Sequence, residues 1–223
     1  MLKEAVRETL LDIYRNHKGR IANKYPHHLE EYHKHFRRYR GTDVCVVEVG
    51  VADGGSLELW RSYFGPEAHI VGIDVADRTS LSEEVNADIV IGDQGSHDFW
   101  KVFKQAYPKV DIFIDDGSHR FQDQQVTFKE MFPHVQPWGF YACEDIHTSY
   151  HEEFGGGYKS GFSFVGLLKE LVDTLHWTTY SERGDFDYIK DMIYGVHVYP
   201  SLAILEKRPA QTFGGPTMTG KNA

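Results

Sequence analysis

A chain of 223 residues, 41% hydrophobic and 14% aromatic, carries enough apolar material for one α/β domain with a sizeable core, which excludes wholesale disorder. Its formal charge of −9 argues against nucleic acid as a partner: phosphate binding needs a basic face, and the densest basic cluster (Lys34, Arg37, Arg38, Arg40) is short and reads as a solvated helix face. No apolar run approaches the ~20 residues of a membrane span and Met1–Asn16 is a charged amphipathic pattern, so the sequence predicts a soluble cytoplasmic protein with no membrane partner.

In chain order, Leu2, Val6, Leu10, Ile13 and Tyr14 recur at helical spacing over 2–15, and Leu29, Tyr32 and Phe36 mark a second helix from about His27 to Arg38. The rhythm then changes. Strands are predicted over Val44–Val49, His69–Ile73, Ala87–Ile91, Val110–Ile114 and Phe140–Cys143, with helices over Ser56–Phe64, Ser96–Tyr107 and Arg120–Phe132 between them. After Gly155–Gly157 come a helix over Phe162–Leu175 and two β-rich runs, around Trp177–Ser181 and Val196–Glu206, the second broken by Pro200. Pro209–Ala223 reads as a loose tail. Alternating strands and helices imply right-handed βαβ crossovers, hence an α/β fold with a mostly parallel sheet of seven strands and helices on both faces. The organisation is a helical cap over 1–40, one domain over 41–208 and a tail over 209–223. Cys45 and Cys143 lie inside strand runs and read as buried reduced thiols.

Ligands of open α/β sheets bind beyond the carboxyl ends of the strands. There the five predicted strands end in acids: Glu48, Asp74, Asp93, the pair Asp115/Asp116 and the pair Glu144/Asp145. One such residue is ordinarily a helix cap; five in succession are harder to assign to capping. After the first strand, the turn with Glu48, Gly50, Gly54 and Ser56 fails the dinucleotide fingerprint G-x-G-x-x-G, because Gly50 is followed by Gly54 and Gly55. The turn instead resembles motif I of class I S-adenosylmethionine (SAM) methyltransferases, which implies a Rossmann-like methyltransferase fold, Asp74 on the ribose hydroxyls, and Asp93 with Gln94 at the adenine.

If the fourth and fifth strands are neighbours, up to four carboxylates share one rim. At ~5 Å and an effective dielectric of ~20 each like-charged pair costs about 3 kcal/mol, so some must be protonated, some must turn away, or a cation must sit among them. Oxygen-only ligands favour Mg²⁺ (or Mn²⁺) over zinc. Adjacent side chains diverge, so one of Asp115 and Asp116 faces a metal while the other is structural or cofactor-facing. His119, one of 13 histidines, stands close enough in sequence to act as a base toward a metal-activated hydroxyl. His147 and His151 are candidates for the substrate side.

Val47–Ser56, Gly92–Gln94, Asp115–His119 and Glu144–Tyr150, in that order and spacing, resemble the metal-dependent macrolide-sugar O-methyltransferases, with cephalosporin-hydroxylase-like proteins similar in the same core. The likeness runs from about Lys24 to Lys207. It implies metal ligands Asp116, Glu144 and Asp145, a general base His119, and SAM contacts from Glu48, Gly50, Gly54, Ser56, Asp74, Asp93, Gln94 and Asp115. It also implies closure over SAM by the Lys24–Tyr32 stretch. Those enzymes carry a separate N-terminal domain where this sequence has two helices, so acceptor and assembly do not carry over.

The expected activity is Mg²⁺-dependent O-methylation of a sugar or glycan acceptor with vicinal hydroxyls, with a rhamnose-like deoxysugar among the plausible acceptors. A homodimer is compatible with this core, although no interface stripe marks one. A catechol-type O-methyltransferase uses the same chemistry, and the aromatic residues Tyr150, Phe154, Tyr158, Phe162 and Phe164 suit either acceptor. A non-haem iron oxygenase needs a second histidine, for which only His147 offers itself, and leaves the glycine-rich turn without a purpose. A binding protein without catalysis has no need to cluster carboxylates.

Overall fold

The computed structural model describes residues 8–209; the first residues of the predicted N-terminal helix and the predicted loose tail beyond Pro209 lie outside the described residues. Two helices lead in, α1 (Leu10–Asn16) and α2 (Pro26–Phe36). Thr9 and Asp12 form a reciprocal capping box at the start of α1, and Pro26 supplies a preset φ at the first turn of α2. The alternation that follows is β1 (Cys45–Val49), α3 (Gly55–Phe64), β2 (His69–Asp74), the short α4 (Ser82–Val85), β3 (Asp88–Ile91), α5 (His97–Ala106), β4 (Ile112–Asp115), α6 (Phe121–Met131) and β5 (Phe140–Glu144). The chain closes with α7 (Phe164–Thr174), β6 (Ile193–Tyr199) and β7 (Leu202–Lys207). Ser96 and Ser163 cap α5 and α7 through their hydroxyls.

The seven strands form one sheet in the order β3-β2-β1-β4-β5-β7-β6, parallel except for β7, which runs antiparallel to both β5 and β6. The reversal of strand order between β1 and β4 places the ligand crevice at the carboxyl ends of those strands. The predicted count of strands holds, but two of them are located differently. Trp177–Thr179 is a single 3-10 turn rather than a strand, and the long run broken at Pro200 is two strands joined by a hairpin at Pro200-Ser201. Proline removes a ladder donor and Ser201 adopts φ 64°, so the chain reverses where a continuous strand was not sustainable.

Side-chain alternation divides the core in two. Cys45, Val47 and Val49 of β1, with Phe113 and Tyr141, face Trp100, Phe103, Phe128, Met131 and Leu171 of α5, α6 and α7. Val46, with Ile112, Ile114 and Ala142, faces Leu29, Tyr32, Phe36, Leu57 and Trp60 of α2 and α3. The N-terminal helices thus bury the same apolar layer as α3. Among the described residues no helix is long and apolar enough to cross a membrane.

Phe128 is fully buried and packs against Phe132, Tyr141, Phe164 and Phe186, whereas Val102 on α5 is exposed. Phe128→Ala is therefore expected to cost about 3–5 kcal/mol in urea unfolding and Val102→Ala less than about 0.5 kcal/mol. His35, against Phe140 and His197, is pushed down to about 4 by burial and by the neighbouring imidazole. A base whose folded pKa lies below its unfolded value of ~6.5 stabilises the fold above that value and ceases to as pH falls toward 4. The urea midpoint should fall between pH 6.5 and 5, and a His35→Phe variant should show a shallower decline.

Candidate active site

The period-2 alternation that divides the core also sorts the acids. Glu48 of β1 pairs in register with Ile114 of β4, and Ile114 with Ala142 of β5, so Glu48, Asp116 and Glu144 all turn toward α2 and α3. Asp115 turns the opposite way. There it accepts from Gln94 Nε2 at 2.9 Å and from the Tyr141 hydroxyl at 3.2 Å, fully buried.

On the α2 side the three acids meet a lysine. Lys24 Nζ donates to Asp116 Oδ2 at 2.5 Å, Glu144 Oε1 at 2.7 Å and Glu48 Oε1 at 2.8 Å, with only 2% of its side chain exposed. The other acceptor positions of Glu48 are taken by the Ser56 hydroxyl at 2.6 Å and Trp60 Nε1 at 3.0 Å. Glu144 also accepts from the Tyr32 hydroxyl at 2.9 Å and faces His28 Nδ1 at 3.3 Å. Burial works against the lysine's charge, yet Asp116, Glu144 and Glu48 hold its pKa well above the ordinary value. Burial likewise opposes ionisation of Glu144, but Lys24 and His28 hold it down at about 2. Asp116 moves the other way: burial, reinforced by Glu144 and Glu48, pushes it well above the carboxylate range against the pull of Lys24.

Beyond Asp116 lies a cavity of about 820 Å³, lined by Ile21–Lys24, the turn from Val49 to Asp53 with Ser56, and the strand-end residues Asp74, Asp93, Asp116 and Asp145. Gly50 and Gly54 hold φ of 94° and 84°, and a Cβ on Gly50 would lie 2.2 Å from the Asp116 carbonyl oxygen. Glycine at position 50 thereby lets β1 and β4 approach at the crevice. Asp74 is fixed by the amides of Val51, Ala52 and Ala76. Asp93 accepts from the Gly95 amide at 2.8 Å.

At the same rim, ligand atoms of Asp116, His119 and Asp145 lie within 4.8 Å of one another. His119 Nε2 is 3.6 Å from Asp145 Oδ2, and its buried Nδ1 has no hydrogen-bond partner among the described residues. Asp145 Oδ1 accepts from the Ser201 hydroxyl at 3.1 Å. His119, Asp145 and Ser201 all adopt left-handed backbone, with φ of 58°, 52° and 64°. Such conformations in non-glycine residues are sparsely populated and persist where surrounding contacts enforce them. Two carboxylates at the rim of a cavity, with an imidazole beside them, fit a hard divalent ion that keeps open positions.

Asp116, His119 and Asp145 thus come together, and Gly50, Ser56, Asp74, Asp93 and Gln94 line the cavity. The other expected site residues stand differently in the fold. Glu144 comes within 4.8 Å of Asp116 and Glu48, does not line the cavity, and meets Lys24, His28 and Tyr32. Glu48 and Asp115 do not line the cavity, because their oxygens are engaged inside the fold. Gly54 underlies the first turn of α3 instead of facing the cavity. Gln94 reaches the wall, yet its side chain bonds Asp115, Thr127 and the Ser118 amide, which leaves its amide little capacity for an adenine. Of the Lys24–Tyr32 stretch only Lys24 borders the cavity, and the covering residues are Ile21–Lys24.

Lys24 and Ser201 as polar partners of the acids were not found from sequence. Neither carries a local signal, since each reaches its acid across a large sequence separation.

No family model matches the chain. It is 38% identical over 199 residues to mycinamicin VI 2''-O-methyltransferase of Micromonospora griseorubida, covering 83% of this chain and 49% of that one. It is 38% identical over 194 residues to 8-demethyl-8-alpha-L-rhamnosyl tetracenomycin-C 2'-O-methyltransferase of Streptomyces olivaceus, covering 82% and 51%. The chain therefore spans about half the length of the curated relatives it matches. The solved structure of the mycinamycin-pathway methyltransferase MycE with Mg, SAH and mycinamycin VI superposes with a TM-score of 0.82 at 33% identity, covering 97% of this chain and 57% of that one.

Gly50→Ala tests the close approach of β1 and β4. The added methyl must displace the Asp116 backbone, and the positive φ is strained for alanine. A loss of about 1–3 kcal/mol in urea unfolding is expected. A Gly41→Ala control, at φ 75° but with open space around the added Cβ, should lose less.

Proposed function

We propose that this chain, a homologue of the sugar O-methyltransferases with the class I methyltransferase fold, transfers a methyl group from SAM to a sugar hydroxyl in a Mg²⁺-dependent reaction. One observation carries the reading: Asp116, Asp145 and His119 meet at the rim of a cavity whose other wall is the glycine-rich turn with Asp74. The relatives' names assign their methyl groups to glycosylated acceptors, a rhamnosyl tetracenomycin among them, which favours a sugar over an aromatic diol.

The cofactor supplies an electrophilic methyl group. Asp74, held by three backbone amides, would accept the ribose hydroxyls, and Asp93, which lines the same cavity, would face the base. Asp116 and Asp145 would hold the metal, whose charge lowers the pKa of a neighbouring acceptor hydroxyl. His119 then has a defined task. Its strained backbone and the Thr148 hydroxyl, which donates to the His119 carbonyl at 3.2 Å, fix the ring beside Asp145, where a ring nitrogen would take the proton of the acceptor hydroxyl. Ser201 orients Asp145 from the hairpin. Ile21–Lys24 exclude water from one side, and most of the rate enhancement follows from this positioning.

Calorimetry with SAM, and with Mg²⁺ in the presence of S-adenosylhomocysteine, tests the reading. Both should bind, and Mg²⁺ binding should vanish in Asp116→Asn. Failure to bind SAM would overturn the reading. In a screen of glycosides His119→Ala should lose about 10²-fold or more in kcat while SAM affinity is kept; near-normal turnover would remove His119 as the base.

A further inference from the structure

One donor on the cavity wall is used neither by the fold nor by the chemistry proposed above. Arg78 stands four residues beyond the end of β2 at Asp74 and lines the cavity together with Asp74 and Val75. Its side chain is 43% exposed, yet its Nε is shielded from solvent and has no hydrogen-bond partner among the described residues. The Nε lies 4.0 Å from Asp74 Oδ2, beyond hydrogen-bond length. Asp74 instead accepts from the amides of Val51, Ala52 and Ala76. The backbone around Arg78 is fixed. Asp77 Oδ1 accepts from the Thr79 amide at 3.0 Å and the Thr79 hydroxyl at 2.6 Å, and the Arg78 carbonyl accepts from the Leu81 amide at 2.9 Å.

We infer that Arg78 is a specificity-determining residue for the cofactor, its Nε donating to an oxygen of the ribose diol. The inference rests on the SAM-dependent reading of the cavity and adds a residue to it. A ribose hydroxyl carries one proton and two lone pairs, whereas an ionised carboxylate only accepts. Asp74 can therefore take hydroxyl protons but can give nothing back to the hydroxyl oxygens. A polar atom left without a partner inside a cavity costs binding energy. Arg78 supplies the missing donor from the same wall, beside the acid, and being charged it makes the stronger kind of hydrogen bond. Carboxylate and guanidinium together match both halves of a hydroxyl's bonding capacity. The effect falls on affinity for the nucleoside half of the cofactor, since the contact is with the ribose and not with the sulfonium methyl.

Calorimetry on the wild type and on Arg78→Met compares S-adenosylhomocysteine, methylthioadenosine, which lacks the amino-acid tail, and the 2'-deoxy and 3'-deoxy analogues of methylthioadenosine. Arg78→Met is expected to bind the first two about tenfold more weakly than the wild type does. For one of the two deoxy analogues the wild type and the variant should agree within about twofold, because the hydroxyl that Arg78 serves is already gone. Without ligand the variant should melt with the wild type, since the Arg78 Nε bonds nothing in the fold. Equal affinity of wild type and variant for methylthioadenosine would overturn the inference. So would a tenfold loss that persists with both deoxy analogues, which would place the guanidinium on the base. A wild type that binds neither S-adenosylhomocysteine nor methylthioadenosine would remove the SAM-dependent reading itself, and the role of Arg78 with it.

Discussion

Three carboxylates gathered at the ends of parallel strands cannot remain charged together in a buried place without a counter-charge. At about 5 Å and an effective dielectric of ~20 each pair repels by about 3 kcal/mol, and burial adds a desolvation penalty for every charge. Lys24 meets that demand from outside the sheet, with its ammonium against Glu48, Asp116 and Glu144. Much of the local architecture is tied to this contact. The strap carrying Lys24 closes one side of the cavity, Glu48 fastens the first turn of α3 through Ser56 and Trp60, and Glu144 fastens α2 through His28 and Tyr32.

The same electrostatics divides the acids by task. Asp115, on the opposite face, serves the core through Gln94 and Tyr141. Glu48 and Glu144 hold α3 and α2 through Ser56, Trp60, His28 and Tyr32. Asp116 and Asp145 reach the cavity, with Asp145 braced by the β6-β7 hairpin through Ser201. A residue's distance from the strand end by one position decides which task it has, because each step along the strand reverses the face on which the side chain stands.

Much of the fold was legible because its signals are local. Five apolar runs separated by helical periodicities imply parallel βαβ units, and β1 to β5 appear within one or two residues of their expected ends. The C-terminal β-rich region was less legible. Trp177–Thr179 looked extended from its aromatic and β-branched content, but that content serves a short turn, while Pro200 marked a hairpin and not a mere interruption. In the site, the glycine turn, Asp74, Asp93, Asp116, His119 and Asp145 were visible as strand-end residues. The duties of Glu48, Asp115 and Glu144 were not, since facing direction depends on register.

By itself the sequence determined the α/β alternation, the acidic rim at the strand ends and the need to relieve the repulsion among those acids. These follow from periodicity and from Coulomb repulsion, which act between residues whose spacing along the chain is known. Only the tertiary structure decided which positive charge answers. Lys24 reaches Glu144 across 120 residues of chain and Asp116 across 92, and Ser201 reaches Asp145 across 56. Such pairings arise when strand order and register bring distant segments together, and no local pattern in the chain encodes them.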